Sequence, residues 1–196
     1  MLLTGSNEAI TQTLMQRERP KYFLGQFLSA DDFTTEQEYF HGKSQRHNRY
    51  LHGLGIAWGL AVTINGKPGE NGAAVYVEPG FAVDCEGKEI EIQERQEIPV
   101  ATFPKTAALY VVVQYRELET SPVPVPGNGG GSSQPSRIVE TFTLSLASRD
   151  PLASHQSPPG QMTCGRPHPI PVARLTKAKS GWVVDPEFVV PRTKCK

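Results

Sequence analysis

Up to residue 55 the large apolar positions are sparse and spaced as in a helix, and from Ile56 onward they fall at every second position. The change divides the chain into an N-terminal arm and helix (1–55) and a β domain (56–196). Residues 1–19 carry Ile10, Leu14 and Met15 at a weak helical spacing, which fits either a short helix or a disordered arm. An aromatic stretch, YFLGQFL (22–28), follows, and Ser29, Asp31 and Asp32 behind it supply the acceptors and negative charge of a helix start. One helix is predicted over about 30–52. Asp31, Asp32, Glu36 and Glu38 lie toward its start and Lys43, Arg46, Arg49 and His52 toward its end, the order that the helix dipole favours. Phe33, Tyr39, Phe40, Tyr50 and Leu51 are the few large apolar side chains available to dock it, while Gly53 and Gly55 offer a C-terminal cap. A face this sparse needs a neighbour to rest on.

From Ile56 the pattern is that of strands. Ile56, Trp58, Leu60, Val62 and Ile64 alternate with smaller residues up to a Gly- and Pro-containing turn at 65–72. Strands over 74–77, 81–84 and 89–93 are separated by Pro79-Gly80 and by Asp84-Cys85-Glu86-Gly87, which has Asp and Gly where a tight turn wants them. LYVVVQY (109–115) is apolar on both faces and reads as a central strand. The strand 138–146 reads as half-buried, with Ile138, Phe142, Leu144 and Leu146 on one face beside Glu140. Strands over 170–175 and 181–184, joined by a turn at 177–181, complete about eight short strands. The fold class is therefore mainly β: a single β-sandwich or barrel-like domain preceded by an arm and one helix. Two Pro-, Gly- and Ser-rich segments, 120–136 and 150–169, are predicted to be loops. The first joins two strong strands, so it is an excursion that either stays mobile or crosses onto a neighbouring subunit. Trp58 and Trp182 lie in apolar strands and are assigned to the core.

Composition agrees with this outline. Gly (18) and Pro (17) are numerous and apolar residues make up only 38%, which suits short strands and turns and disfavours a helical bundle. Twenty basic residues balance twenty acidic ones, so no net field draws in nucleic acid or an anionic membrane. The odd set Cys85, Cys164 and Cys195 suggests thiols in a reducing compartment. No secretory signal or bilayer-length apolar run is visible, so a cytoplasmic protein without membrane insertion is expected.

Candidate chemistry is thin. His41, His47 and His52 are spaced by six and five residues, which does not match neighbours at i+3 or i+4 on an α-helix, so no helix-borne metal site is expected. His168 follows Cys164 by four residues in a Pro-rich loop, a pairing that can bind metal or form a dyad, but no second Cys or His pair accompanies it. Asp84, Glu86, Glu89, Glu117 and Glu119 read as turn-forming or solvent-facing carboxylates. The basic run at 43–50 reads as a dipole-complementing helix end. Nucleophile-elbow, phosphate-loop and dinucleotide fingerprints are absent. No catalytic residue, cofactor or metal ligand is assigned.

Three stretches carry a family likeness. YFLGQFLSADDF (22–33), continuing through EQEY (36–39) to HNRYLHGLGIAWGL (47–60), resembles small proteins of phage-tail-like contractile injection systems. PGFAVDCEGKEI (79–90) is similar to a β-hairpin phrase of tail and baseplate proteins, and so are IPVARL (170–175), GWVVD (181–185) and Pro191-Arg192. The resemblance implies a non-catalytic structural subunit at a baseplate or tail tip, present in several copies or as a homo-oligomer among other particle subunits. A fibre role is disfavoured by the absence of repeats and heptads. Tyr22, Phe23, Phe27, Phe33, Tyr39, Phe40, Arg49 and Tyr50 are the expected partner-interface residues. The alternatives are a carbohydrate- or receptor-binding module using the two loops and Trp182, and a metal-dependent hydrolase built on Cys164, His168 and nearby carboxylates.

Overall fold

The structure is a computed structural model that describes residues 17–66, 73–100, 106–125, 132–153, 155, 168–179 and 181–194. The expectations for residues 1–16 and for Cys164 and Cys195 lie outside the described residues. The chain separates into two units, Met1–Lys43 and Ser44–Lys196.

Helix α1 (Ala30–His47) begins where the sequence places its acceptors. The Ser29 N–H and hydroxyl both donate to Asp32 Oδ2 at 2.8 Å, and the Asp32 N–H donates back to Ser29 Oγ at 3.3 Å. This reciprocal box satisfies donors that the first turn would leave open. The same Ser29 N–H, with its hydroxyl, holds the Asp32 carboxyl below its ordinary value. No residue of α1 is buried.

The helix runs on as expected, but its last turn, Asn48–His52, is π-helical. Its closing bond runs from the Gly53 N–H to the Asn48 carbonyl at 2.9 Å, and Gly53 takes φ 71°. In a π turn residues five apart become neighbours. The rings of His47 and His52 meet with centroids 5.3 Å apart, so the α-helical spacing argument that separated them fails here.

Among the described residues ten strands follow: β1 (Gly55–Gly59), β2 (Val62–Asn65), β3 (Ala74–Val77), β4 (Gly80–Val83), β5 (Glu89–Ile92), β6 (Gln96–Pro99), β7 (Ala108–Pro124), β8 (Ser133–Ala147), β9 (Ile170–Ala178) and β10 (Gly181–Val184). They form three antiparallel sheets with orders β1-β4-β5, β2-β3-β6 and β10-β9-β7-β8. Val75, Ile92, Val111 and Leu175 come from all three sheets, are fully buried and share one core. The mainly β class with one helix near the N-terminus is therefore observed.

Ten strands replace the expected eight for two reasons. Gly59 (φ 65°) and Leu60 (φ 58°) both occupy the left-handed region and split the first strand into β1 and β2. Leu60 is held there by burial and by its N–H, which donates to the Pro79 carbonyl at 3.1 Å. Strand β6 was missed because its sequence, QEIP, offers a single apolar side chain; it is an edge strand on β3.

Trp58 is not in the core. A bulge lets β1 advance two residues, Ile56 to Trp58, while β4 advances one, Ala82 to Phe81. The extra residue moves Trp58 off the face of Ile56, and it is 55% exposed. Trp182 is buried at 8%, as expected.

Much of the segment 120–136 is strand and not loop, and residues 126–131 lie outside the described residues. Strands β7 and β8 continue into it as a two-stranded ribbon, with Pro122 opposite Pro135 and Pro124 opposite Ser133. The Val125 N–H donates to the Ser132 carbonyl at 3.0 Å, which puts the proline positions at pairs that exchange no hydrogen bond. Prolines at every second residue thus leave the ladder intact, and the period of two in PVPVP was the overlooked strand signal. Along this ribbon Leu118, Val123, Ile138 and Val139 are exposed, so Ile138 does not join the half-buried face of Phe142, Leu144 and Leu146.

Candidate functional site

The aromatic segment ahead of α1 has no core to enter among the described residues. Phe23 is 70% exposed and Phe27 90%, while Tyr22, Phe33, Phe40 and Tyr50 are each about half exposed. Single exposed apolar side chains are ordinary, whereas here several exposed aromatics lie on and just ahead of a helix with no buried residue. Tyr22 donates its hydroxyl to Glu36 at 2.9 Å, which folds this segment back along α1 and raises the phenol's pKa. Tyr39 is half-buried and stacks edge-on against Phe40, with centroids 5.3 Å apart. Arg49 is also half-buried: its guanidinium carbon lies 5.9 Å from the centre of the Tyr50 ring, and its Nε is buried with no hydrogen-bond partner among the described residues.

The C-terminal end of this element is tied down at two places. Asn48 is buried, and its side-chain amide donates to the Gly87 carbonyl at 2.9 Å and to Glu89 Oε1 at 2.8 Å. At Gly87 (φ +83°) a Cβ would lie 2.1 Å from the Gln45 carbonyl oxygen, so glycine is required both by conformation and by space. The second tie is the C-terminal segment. The Ile56 N–H donates to the Pro191 carbonyl at 2.8 Å, and the Lys194 N–H donates to the His52 carbonyl at 2.6 Å.

The turn between β4 and β5 is the hub of these contacts. Asp84 Oδ1 accepts from the N–H groups of Glu86 (2.8 Å) and Lys88 (2.9 Å), which shapes the turn that the Asp-x-x-Gly pattern predicts. Burial raises the Asp84 carboxyl above its ordinary value against those two bonds. Lys88 reaches β7, with Nζ 3.6 Å from Glu117 and 4.7 Å from the centre of the Tyr115 ring. The Tyr115 hydroxyl donates to the same carboxylate at 2.9 Å; burial, then this bond, pushes the phenol well up.

On the turn's other side Cys85 Sγ lies 3.5 Å from Nδ1 of His168, and the rings of His168 and His155 meet with centroids 4.9 Å apart. One ligand-type atom from each of these three side chains lies within 4.8 Å of the other two. His155 titrates below its ordinary value because of burial, and then because of His168. The sequence drew attention to His168 through Cys164, which lies outside the described residues; the structure brings His168 to Cys85. Cys85 and His155 as partners were missed, and no sequence spacing could have flagged three residues from separate segments.

A separate cleft of about 470 Å³ runs between β5 and β8, lined by Phe81, Phe142, Glu89, Glu91, Glu94 and Glu140 among others. No helix among the described residues is long and apolar enough to cross a membrane.

Comparison with known proteins defines the fold class further. No protein-family model and no curated protein matches the chain. Among solved structures it is similar to a chain of the TssK-TssF-TssG baseplate subcomplex of the type VI secretion system, seen by cryo-electron microscopy: 15% identity, 90% of this chain and 62% of that chain covered, TM-score 0.51. It is also similar to a chain of the baseplate complex from the type VI secretion system: 16% identity, 90% and 60% covered, TM-score 0.51. The chain spans about six tenths of the length of these relatives. At this identity the likeness is one of fold.

Proposed function

We propose that the chain is a non-catalytic structural subunit of a phage-tail-like contractile injection system, assembled in the cytoplasm at the baseplate or tail tip. The observation that carries this reading is the aromatic segment with helix α1, none of whose residues is buried. A helix with no core of its own is stabilised by packing on something else. Tyr22, Phe23, Phe27, Phe33, Phe40 and Tyr50 are the anchors, with Tyr39 and Arg49 setting the geometry around them. The fold likeness to type VI secretion baseplate chains supports this reading. Sugar binding through Trp182 has no such support, since that ring is buried beneath Lys177.

The test is co-expression with the sheath, tube and baseplate proteins of a contractile injection system, followed by affinity capture and mass measurement of the complex. Stoichiometric capture of a baseplate protein, lost in Phe23→Ser/Phe27→Ser, is expected. A clean monomer that ignores every particle protein would overturn the proposal.

A further inference from the structure

We infer that Cys85, His155 and His168 form a zinc site that staples three separate parts of the chain. Cys85 lies on the β4–β5 turn, His168 just precedes β9, and His155 follows the turn after β8. Two of the three sit on backbone that is already fixed. The Cys85 turn is held by Asp84, the His155 N–H donates to the Leu152 carbonyl at 2.9 Å, and the Leu152 N–H donates to Asp150 Oδ1 at 2.9 Å.

The distances fit a metal. Zinc–sulfur and zinc–nitrogen bonds of about 2.3 and 2.0–2.1 Å at a tetrahedral angle place sulfur and nitrogen about 3.5 Å apart. Cys85 Sγ and His168 Nδ1 stand 3.5 Å apart, and the third ligand atom completes a set within 4.8 Å that small side-chain rotations would close. The chemistry of His155 points the same way. Its Nε2 is buried and has no hydrogen-bond partner among the described residues, a cost that a bound cation removes. One thiolate and two imidazoles select a borderline-soft ion such as Zn²⁺ over Mg²⁺ or Ca²⁺. Binding displaces the thiol proton to solvent and leaves a fourth position for water or another donor. Because the Cys85 turn is the one that seats Asn48 and Gly87, the metal would also brace the end of the helical element. The role is structural, and it is independent of the proposed assembly.

The test uses the full-length chain. After reconstitution with Zn²⁺ and gel filtration, one zinc per chain is expected, with Tm raised by Zn²⁺ and lowered again by a chelator. Co²⁺ in place of Zn²⁺ should give a thiolate-to-metal charge-transfer band and tetrahedral d–d bands. Cys85→Ser should abolish the charge-transfer band, and His155→Gln or His168→Gln should weaken cobalt affinity at least about tenfold. If Cys85→Ser fails to fold, the wild-type cobalt spectrum and the two histidine variants decide. The inference is overturned if folded wild-type protein takes up no stoichiometric metal, if its cobalt spectrum lacks the thiolate band, or if that band survives Cys85→Ser and is lost in Cys164→Ser.

Discussion

Asn48 donates its side-chain amide to the Gly87 carbonyl at 2.9 Å, joining the π turn that ends the helical element to a turn 39 residues further along. Both groups are buried, so the bond is exchanged for an unsatisfied carbonyl when the amide is removed. Asn48→Ala should cost about 1–3 kcal/mol in urea denaturation. An unchanged midpoint would show that water replaces the amide there.

Gly87 and Gly53 provide a matched pair. Both have positive φ, but a Cβ at Gly53 meets nothing within 4 Å whereas one at Gly87 meets the Gln45 backbone. Gly87→Ala should therefore destabilise the protein clearly more than Gly53→Ala. Equal losses would mean that conformation alone, and not the close approach of the two segments, fixes the glycine.

The two tryptophans should behave in opposite ways. Trp182→Ala empties a buried site and should cost about 3–5 kcal/mol. Trp58→Ala, at a residue 55% exposed, should stay within about 1 kcal/mol of wild type. Denaturant midpoints of both variants check the bulge assignment directly.

Arg174 and Asp185 give a pH test. The Glu187 N–H, and then Arg174 through a 2.6 Å hydrogen bond, hold the Asp185 carboxyl below its ordinary value of 3.8. A depressed folded value means that the stabilisation is present above the unfolded value and is lost as pH falls through the folded one. Asp185→Asn should remove this acid-dependent part, so its stability falls less than wild type on acidification through the carboxylate range. Parallel curves would show that the pair contributes nothing measurable.

The exposed aromatics should separate folding from assembly. Phe23→Ser/Phe27→Ser should leave stability within about 0.5 kcal/mol, since neither side chain is buried, while partner capture is lost. Loss of stability instead would place these rings in the chain's own fold.

What the sequence made legible was whatever depends on neighbours in the chain. The Ser29–Asp32 cap, the alternation of Glu89, Ile90, Glu91 and Ile92, and the Asp84–Gly87 turn all follow from local pattern, and the structure has them. The failures share a cause, which is partners remote in sequence. Trp58 is turned outward by one extra residue against β4, and β6 exists because β3 offers an edge, not because QEIP asks to be a strand. Cys85, His155 and His168 converge only once β4, β8 and β9 are in place. The π turn is a subtler case, since its i+5 neighbours obey a period that an α-helical reading does not test.

The proline-edged ribbon of β7 and β8 has a consequence for the chain on its own. A long ribbon with exposed Leu118, Ile138 and Val139 would ordinarily recruit further strands and grow into aggregates. Pro122, Pro124 and Pro135 leave its outer edges without amide protons at those positions, so a foreign strand finds no continuous ladder to extend. The same apolar side chains stay exposed on the ribbon's faces, so what the ribbon offers to another surface is side chains and not backbone.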